Sequence, residues 1–85
     1  MEINQKKGTN VSRYFESLRI NQGLKPSQLA SLMGASNISK IGSLIRQFEL
    51  TGDISFYWFQ KLINLLNPEE DEFQRCIKLD HNAQL

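Results

Sequence analysis

Apolar residues return along this chain at intervals of three and four, the spacing that places them on one face of a helix. Val11, Tyr14, Phe15 and Leu18 predict a first helix from about Val11 to Gln22, with Thr9 or Asn10 able to cap its start. Gly23 stands just past its end, where a left-handed residue is favoured. A shorter second helix is expected from Pro26 to Met33. Proline suits its first position, because the N–H it lacks would be unpaired there anyway. Leu29, Leu32 and Met33 form its expected buried side, Ala30 is small enough to admit a neighbouring helix, and Gly34 ends it. The stretch "GASNISKIGSLIRQFELTG" follows, with Ile38, Ile41, Ile45 and Phe48 on one face. It predicts a third helix from Asn37 or Ser39 to Leu50, closed by Thr51-Gly52-Asp53. Gly42 inside it costs about 1 kcal/mol relative to Ala, and either admits a close backbone or is simply tolerated.

Two further helices complete the pattern. Ser55 is a good cap for the fourth, and Ile54 and Phe59 are spaced for a hydrophobic staple. Phe56, Phe59, Leu62, Ile63 and Leu66 make its apolar stripe, widened by Tyr57 and Trp58. The fifth is expected to start at "NPEEDEF", with Asn67 as cap, Pro68 in the first position and Glu70 placed for a capping box. The acidic run Glu69, Glu70, Asp71 and Glu72 also complements the helix dipole. Phe73, Cys76 and Ile77 form the apolar side of this helix. No run alternates as a strand would. The expected fold class is therefore all-α, with five helices in one domain over 9–79 and flexible ends over 1–8 and 80–85.

Composition narrows the class. The chain has 85 residues, 40% of them hydrophobic and 22% charged, enough apolar material for one core. It lacks the run of about 18 apolar residues that a membrane span needs, and "MEINQKKGTN" has no apolar segment of a secretory signal. A cytoplasmic location is expected, with no membrane partner. The lone Cys76 and lone His81 offer neither an internal disulfide nor a zinc set, so no metal and no cofactor are expected. Cys76 falls on an apolar helix side and reads as a buried thiol. The four consecutive carboxylates splay around a helix start and do not converge on a substrate, so enzymatic activity is not expected. The net charge is only +1, but residues 1 to 61 hold eight basic against four acidic residues, and residues 62 to 85 hold two against five. The charge asymmetry suits a mildly basic working surface with an acidic far side.

The remaining chemistry lies in "KPSQLASLMGASNISKIGSLIRQFE": a short helix, a tight turn and a longer helix. A helix-turn-helix needs a small residue where the helices meet, a residue tolerant of a left-handed turn, and a second helix apolar on one face and polar on the other. Ala30, Gly34 and the third helix supply these. The candidate base-reading residues are Asn37, Ser39, Lys40, Ser43, Arg46 and Gln47. Arginine matches a guanine edge, and asparagine or glutamine an adenine edge. Lys6, Lys7, Arg13, Arg19, Lys25 and Gln28 are candidate phosphate contacts, which position a protein without reading sequence. Phe56, Tyr57 and Trp58 are the candidate dimer contact.

The pieces "LRINQGL", "SQLASLMGAS", "FELTG" and "WFQKLINLLN" occur in one order over about two-thirds of the chain. In that order they resemble the lambda-repressor-like, Cro-type helix-turn-helix domain. The resemblance implies a five-helix DNA-binding fold, a double-stranded DNA partner, a homodimer and a role in transcription. A protein-interaction module on the same fold is the alternative, since fold does not fix function. The chain departs from the family twice. Lys25-Pro26 stand where the family has Thr-Gln, and fifteen residues separate Gly34 from Glu49 where the family has about ten. The third helix is thereby lengthened by roughly one and a half turns.

Overall fold

The protein is described by a computed structural model covering residues 8–83. Five helices follow one another: α1 (Asn10–Asn21), α2 (Pro26–Leu32), α3 (Ile38–Thr51), α4 (Phe56–Leu66) and α5 (Glu70–Ala83). The described residues contain no strand, and none of their helices is long and apolar enough to cross a membrane. α2 packs on α3, while α1 lies against α3, α4 and α5.

Local chemistry sets most helix ends. Thr9 Oγ1 accepts the N–H of Ser12 at 3.0 Å, and Ser12 Oγ accepts the N–H of Thr9 at 2.9 Å. That reciprocal pair satisfies two otherwise orphaned donors at the start of α1. α2 ends in two nested bonds, Ala35 N–H to the Ala30 carbonyl at 3.1 Å and Gly34 N–H to the Ser31 carbonyl at 3.0 Å. Such a closure needs a left-handed residue between them, which Gly34 supplies at φ 81°. Asn37 Oδ1 accepts the N–H of Lys40 at 3.0 Å and caps α3. Ser55 Oγ accepts the N–H of Trp58 at 3.4 Å at the start of α4.

The core is built around Phe15, which is 1% exposed. Its ring lies 6.1 Å from that of Phe48 and 5.3 Å from those of Phe59 and Phe73, mostly edge to face, the favoured arrangement for aromatic pairs. One residue of α1 thus gathers side chains from α3, α4 and α5. Leu29, Ala30, Met33, Ile41, Ile45, Leu62 and Leu66 complete the buried cluster. Cys76 is buried as its position on α5 suggested.

Several expectations are corrected. Leu32 is 59% exposed: α2 turns Leu29, Ala30 and Met33 inward, and Leu32 lies to the far side of Leu29. Ile38, at the first residue of α3, is 39% exposed, at the edge of the face formed by Ile41, Ile45 and Phe48. Phe56 is 72% exposed, because the first residue of α4 lies outside the ring cluster around Phe15. Asn67 does not cap α5; it ends α4 in a left-handed conformation at φ 49°. α5 starts at Glu70, and Glu69 is its cap, with Oε1 accepting the N–H of Glu72 at 2.7 Å. The Tyr14 hydroxyl of α1 accepts the N–H of Glu69 at 2.8 Å, which ties the residue before α5 to the first helix.

Residues 80–83, expected to fray, continue α5. Asp80 anchors them. Its Oδ1 accepts the N–H of Asn10 at 2.7 Å and the Asn10 side-chain amide at 2.9 Å, and its Oδ2 accepts the N–H of Val11 at 2.9 Å. The last helix therefore closes the N-terminal end of the first.

Candidate nucleic-acid interface

α3 divides cleanly. Ile41, Ile45, Phe48 and Glu49 are buried, while Asn37, Ser39, Lys40, Ser43, Arg46 and Gln47 are exposed. The six expected base-reading residues thus all reach the surface. The N-terminal half carries short hydroxyls and one lysine, so a flat partner can approach its backbone closely. Asn37 uses its carbonyl oxygen to cap the helix, and its amide nitrogen remains a donor in kind.

Gly42 explains how closely α2 reaches α3. A Cβ at Gly42 would lie 3.3 Å from Cα and 3.4 Å from N of Ser27. The absent side chain lets the first turn of α2 press against the middle of α3. Lys25 and Gln28, both exposed, stand at the start of α2, the turn that meets α3 at Gly42. Gln28 Oε1 accepts the N–H of Lys25 at 2.7 Å, which orients the glutamine at that helix start. Of the two alternatives for Gly42, the close backbone approach is the one the packing realises.

The other candidate phosphate contacts fare differently. Arg13 is exposed on α1. Lys6 and Lys7 lie outside the described residues. Arg19 is corrected: it is 8% exposed and turned inward. Its Nε and Nη2 donate to Glu49 Oε2 and Oε1 at 2.6 and 2.9 Å, and its Nη1 donates to the Leu24 carbonyl at 2.8 Å. A side chain held by both edges of its guanidinium cannot reach a phosphate without breaking a buried pair. Arg46 is also engaged. Its Nη1 donates to Glu49 Oε1 at 2.7 Å and Glu16 Oε2 at 2.9 Å. The carboxylates of Glu49 and Glu16 hold its guanidinium above the ordinary value. Sequence periodicity gave no signal for this cluster, because its members come from two helices far apart in the chain.

The candidate dimer residues border the same region. Tyr57 is 62% exposed and stands edge-on to Trp58 at 4.9 Å between ring centres. Lys61 Nζ sits 5.2 Å from the centre of the Tyr57 ring, within cation–π reach. Tyr57 and Trp58 line an open cleft of about 560 Å³ together with Asn37 and Lys40. Two of the aromatic residues and the start of α3 thus share a single depression.

The remaining reactive groups do not join this surface. Burial pushes the Cys76 thiol up, and the nearby Glu72 carboxylate adds to the effect, the opposite of what a nucleophile needs. Among the described residues, no group of three or more His, Cys, Asp or Glu side chains is placed to hold a metal ion. No family model matches the chain, nor does any curated protein or solved structure compared with it.

Proposed function

We propose that this chain is a sequence-specific DNA-binding domain of the lambda-repressor-like helix-turn-helix kind, a small cytoplasmic transcriptional regulator without enzymatic activity. The observation that carries the reading is the two-sided α3. It buries Ile41, Ile45 and Phe48 and exposes Asn37, Ser39, Lys40, Ser43 and Gln47. The start of α2 sits against it at Gly42. In this reading α3 enters the major groove, Lys40 and Gln47 reach base edges, and Lys25, Gln28 and Arg13 contact phosphates. Two of the sequence pieces behind the family resemblance also meet in space: Arg19 of "LRINQGL" pairs with Glu49 of "FELTG". The homodimer would form through Tyr57 and Phe56, with Trp58 at its edge, beside the reading surface.

Selection from random-sequence duplexes tests the reading: an enriched motif is expected, and none would sink it. Affinity for the selected duplex should fall with salt, with a log–log slope of roughly −2 per chain for the two cationic phosphate contacts, Lys25 and Arg13. Lys40→Ala should lose affinity for that duplex while leaving the thermal melt unchanged, since Lys40 is exposed.

One observation favours a second reading, a protein-interaction module. Phe56 and Tyr57 are 72% and 62% exposed on consecutive positions, more apolar surface than a DNA contact calls for. Under this reading the selection returns no motif, and Phe56→Ser with Tyr57→Ser abolishes capture of a protein partner.

A further inference from the structure

Four charged side chains of α1 and α3 form one connected cluster. Arg19 and Glu49 make a two-pronged pair with side chains 9% and 2% exposed. Arg46 adds a bond to Glu49 and another to Glu16, both through Nη1. Two cations and two anions leave the cluster formally neutral. Arg46 shares Glu49 with Arg19 and takes Glu16 as its second carboxylate partner. This outer pair is accessible, with side chains 44% and 30% exposed. It lies on the C-terminal half of α3, beside Gln47, where a nucleic acid following the helix would pass.

A phosphate approaching Arg46 meets a carboxylate oxygen 2.9 Å from the same guanidinium nitrogen. Attraction and repulsion then largely cancel. Lys40 has no such neighbour in any ion pair among the described residues. We infer that Glu16 masks Arg46, withholding it from phosphate contact and holding the general affinity down. Glu16 acts through another residue and is in that sense a positioning residue. The inference rests on the DNA-binding reading, and it assigns to α1 a restraint on the surface of α3. A low general affinity sharpens discrimination, because non-specific binding is set by the phosphate contacts.

The full chain carries the test, with a short random-sequence DNA duplex as probe and binding read by fluorescence anisotropy. Glu16→Gln should raise affinity by roughly three- to tenfold and steepen the salt slope by about 0.9, the signature of one extra phosphate contact. Glu70→Gln makes the same change in net charge at an exposed site on α5 and should give a markedly smaller gain. The charge-conserving double variant Glu16→Gln with Arg46→Gln should bind as the unmodified chain does. A double variant that binds more weakly would show that Arg46 already touches nucleic acid, and would overturn the inference. Weaker binding by Glu16→Gln alone would also overturn it, since Glu16 would then be orienting Arg46 for contact. If no variant binds duplex, the DNA-binding reading fails, and elution from immobilised heparin decides the masking separately. Glu16→Gln eluting at higher salt than Glu70→Gln upholds it, and co-elution refutes it.

Discussion

Arg19 and Glu49 stand thirty positions apart, yet their side chains form the most buried charged pair of the described residues. A carboxylate taken out of water needs its lone pairs filled, and here Arg19 fills two and Arg46 a third. Removing one partner leaves an uncompensated buried charge. Glu49→Ala is therefore expected to destabilise the fold by about 3 kcal/mol or more, and Arg19→Met with Glu49→Leu by much less, because no charge is then stranded. Urea unfolding of the three proteins checks this; equal losses in the single and double variants would contradict it. The pair also shows where sequence reading stops. An arginine in the basic part of a chain reads as solvent-facing, and nothing within its own helix announces a partner on another. By contrast, the polar face of α3 was legible, because four apolar positions at helical spacing define the opposite face by elimination. Ile38, the first of the four, stands at the helix end and at the edge of that face, where it is 39% exposed.

At the scale of elements, most boundaries were written locally. Thr9, Ser55 and Gly34 act within a few residues of themselves, so their roles could be read without the fold. Asn67 could not, because asparagine serves equally as a helix cap and as a left-handed terminator. The chain just after it is held from elsewhere in the fold: Tyr14, 55 positions from Glu69, takes the N–H of Glu69. Gly42 was ambiguous for the same reason: its tolerance or necessity depends on what packs against it. Ser27 Cα, 3.3 Å from where a Cβ would stand, settles the matter in favour of close packing. Leucine at position 42 would force α2 away from α3 and should cost roughly 2–3 kcal/mol. If the midpoint of thermal unfolding of Gly42→Leu matches that of the unmodified chain, the contact is not as tight as described. Because α2 meets α3 at this position, the same change should weaken any ligand bound across both helices.

Over the whole molecule, α5 is the element whose end was least evident in the sequence and the one that closes the fold. Its amphipathic pattern was clear, but "DHNAQL" carries no signal that Asp80 would seat on the start of α1. Burial alone would raise the Asp80 carboxyl. The N–H groups of Val11 and Asn10 outweigh that and hold it below its ordinary value of 3.8. The folded state then binds the proton less readily than the unfolded chain, so stability rises with pH through this window. The contribution is complete above the ordinary carboxylate range and is lost as pH falls through the lowered folded value. Asp80→Ala should cost about 1 kcal/mol at neutral pH, as the loss of a helix cap does. Its deficit relative to the unmodified chain should shrink on acidification below about pH 4. A deficit that is constant down to the acid transition would mean that Asp80 is not the ionised cap of α1.

The reach of that contact has a kinetic meaning as well. Asp80 and Val11 are 69 positions apart, and Glu69 and Tyr14 are 55 apart, whereas α2 and α3 meet across a short turn. Contacts between near neighbours form first because they close small loops. The α2–α3 contacts close over a short stretch of chain, whereas the N–H groups of Asn10 and Val11 gain their carboxylate only once residue 80 is present.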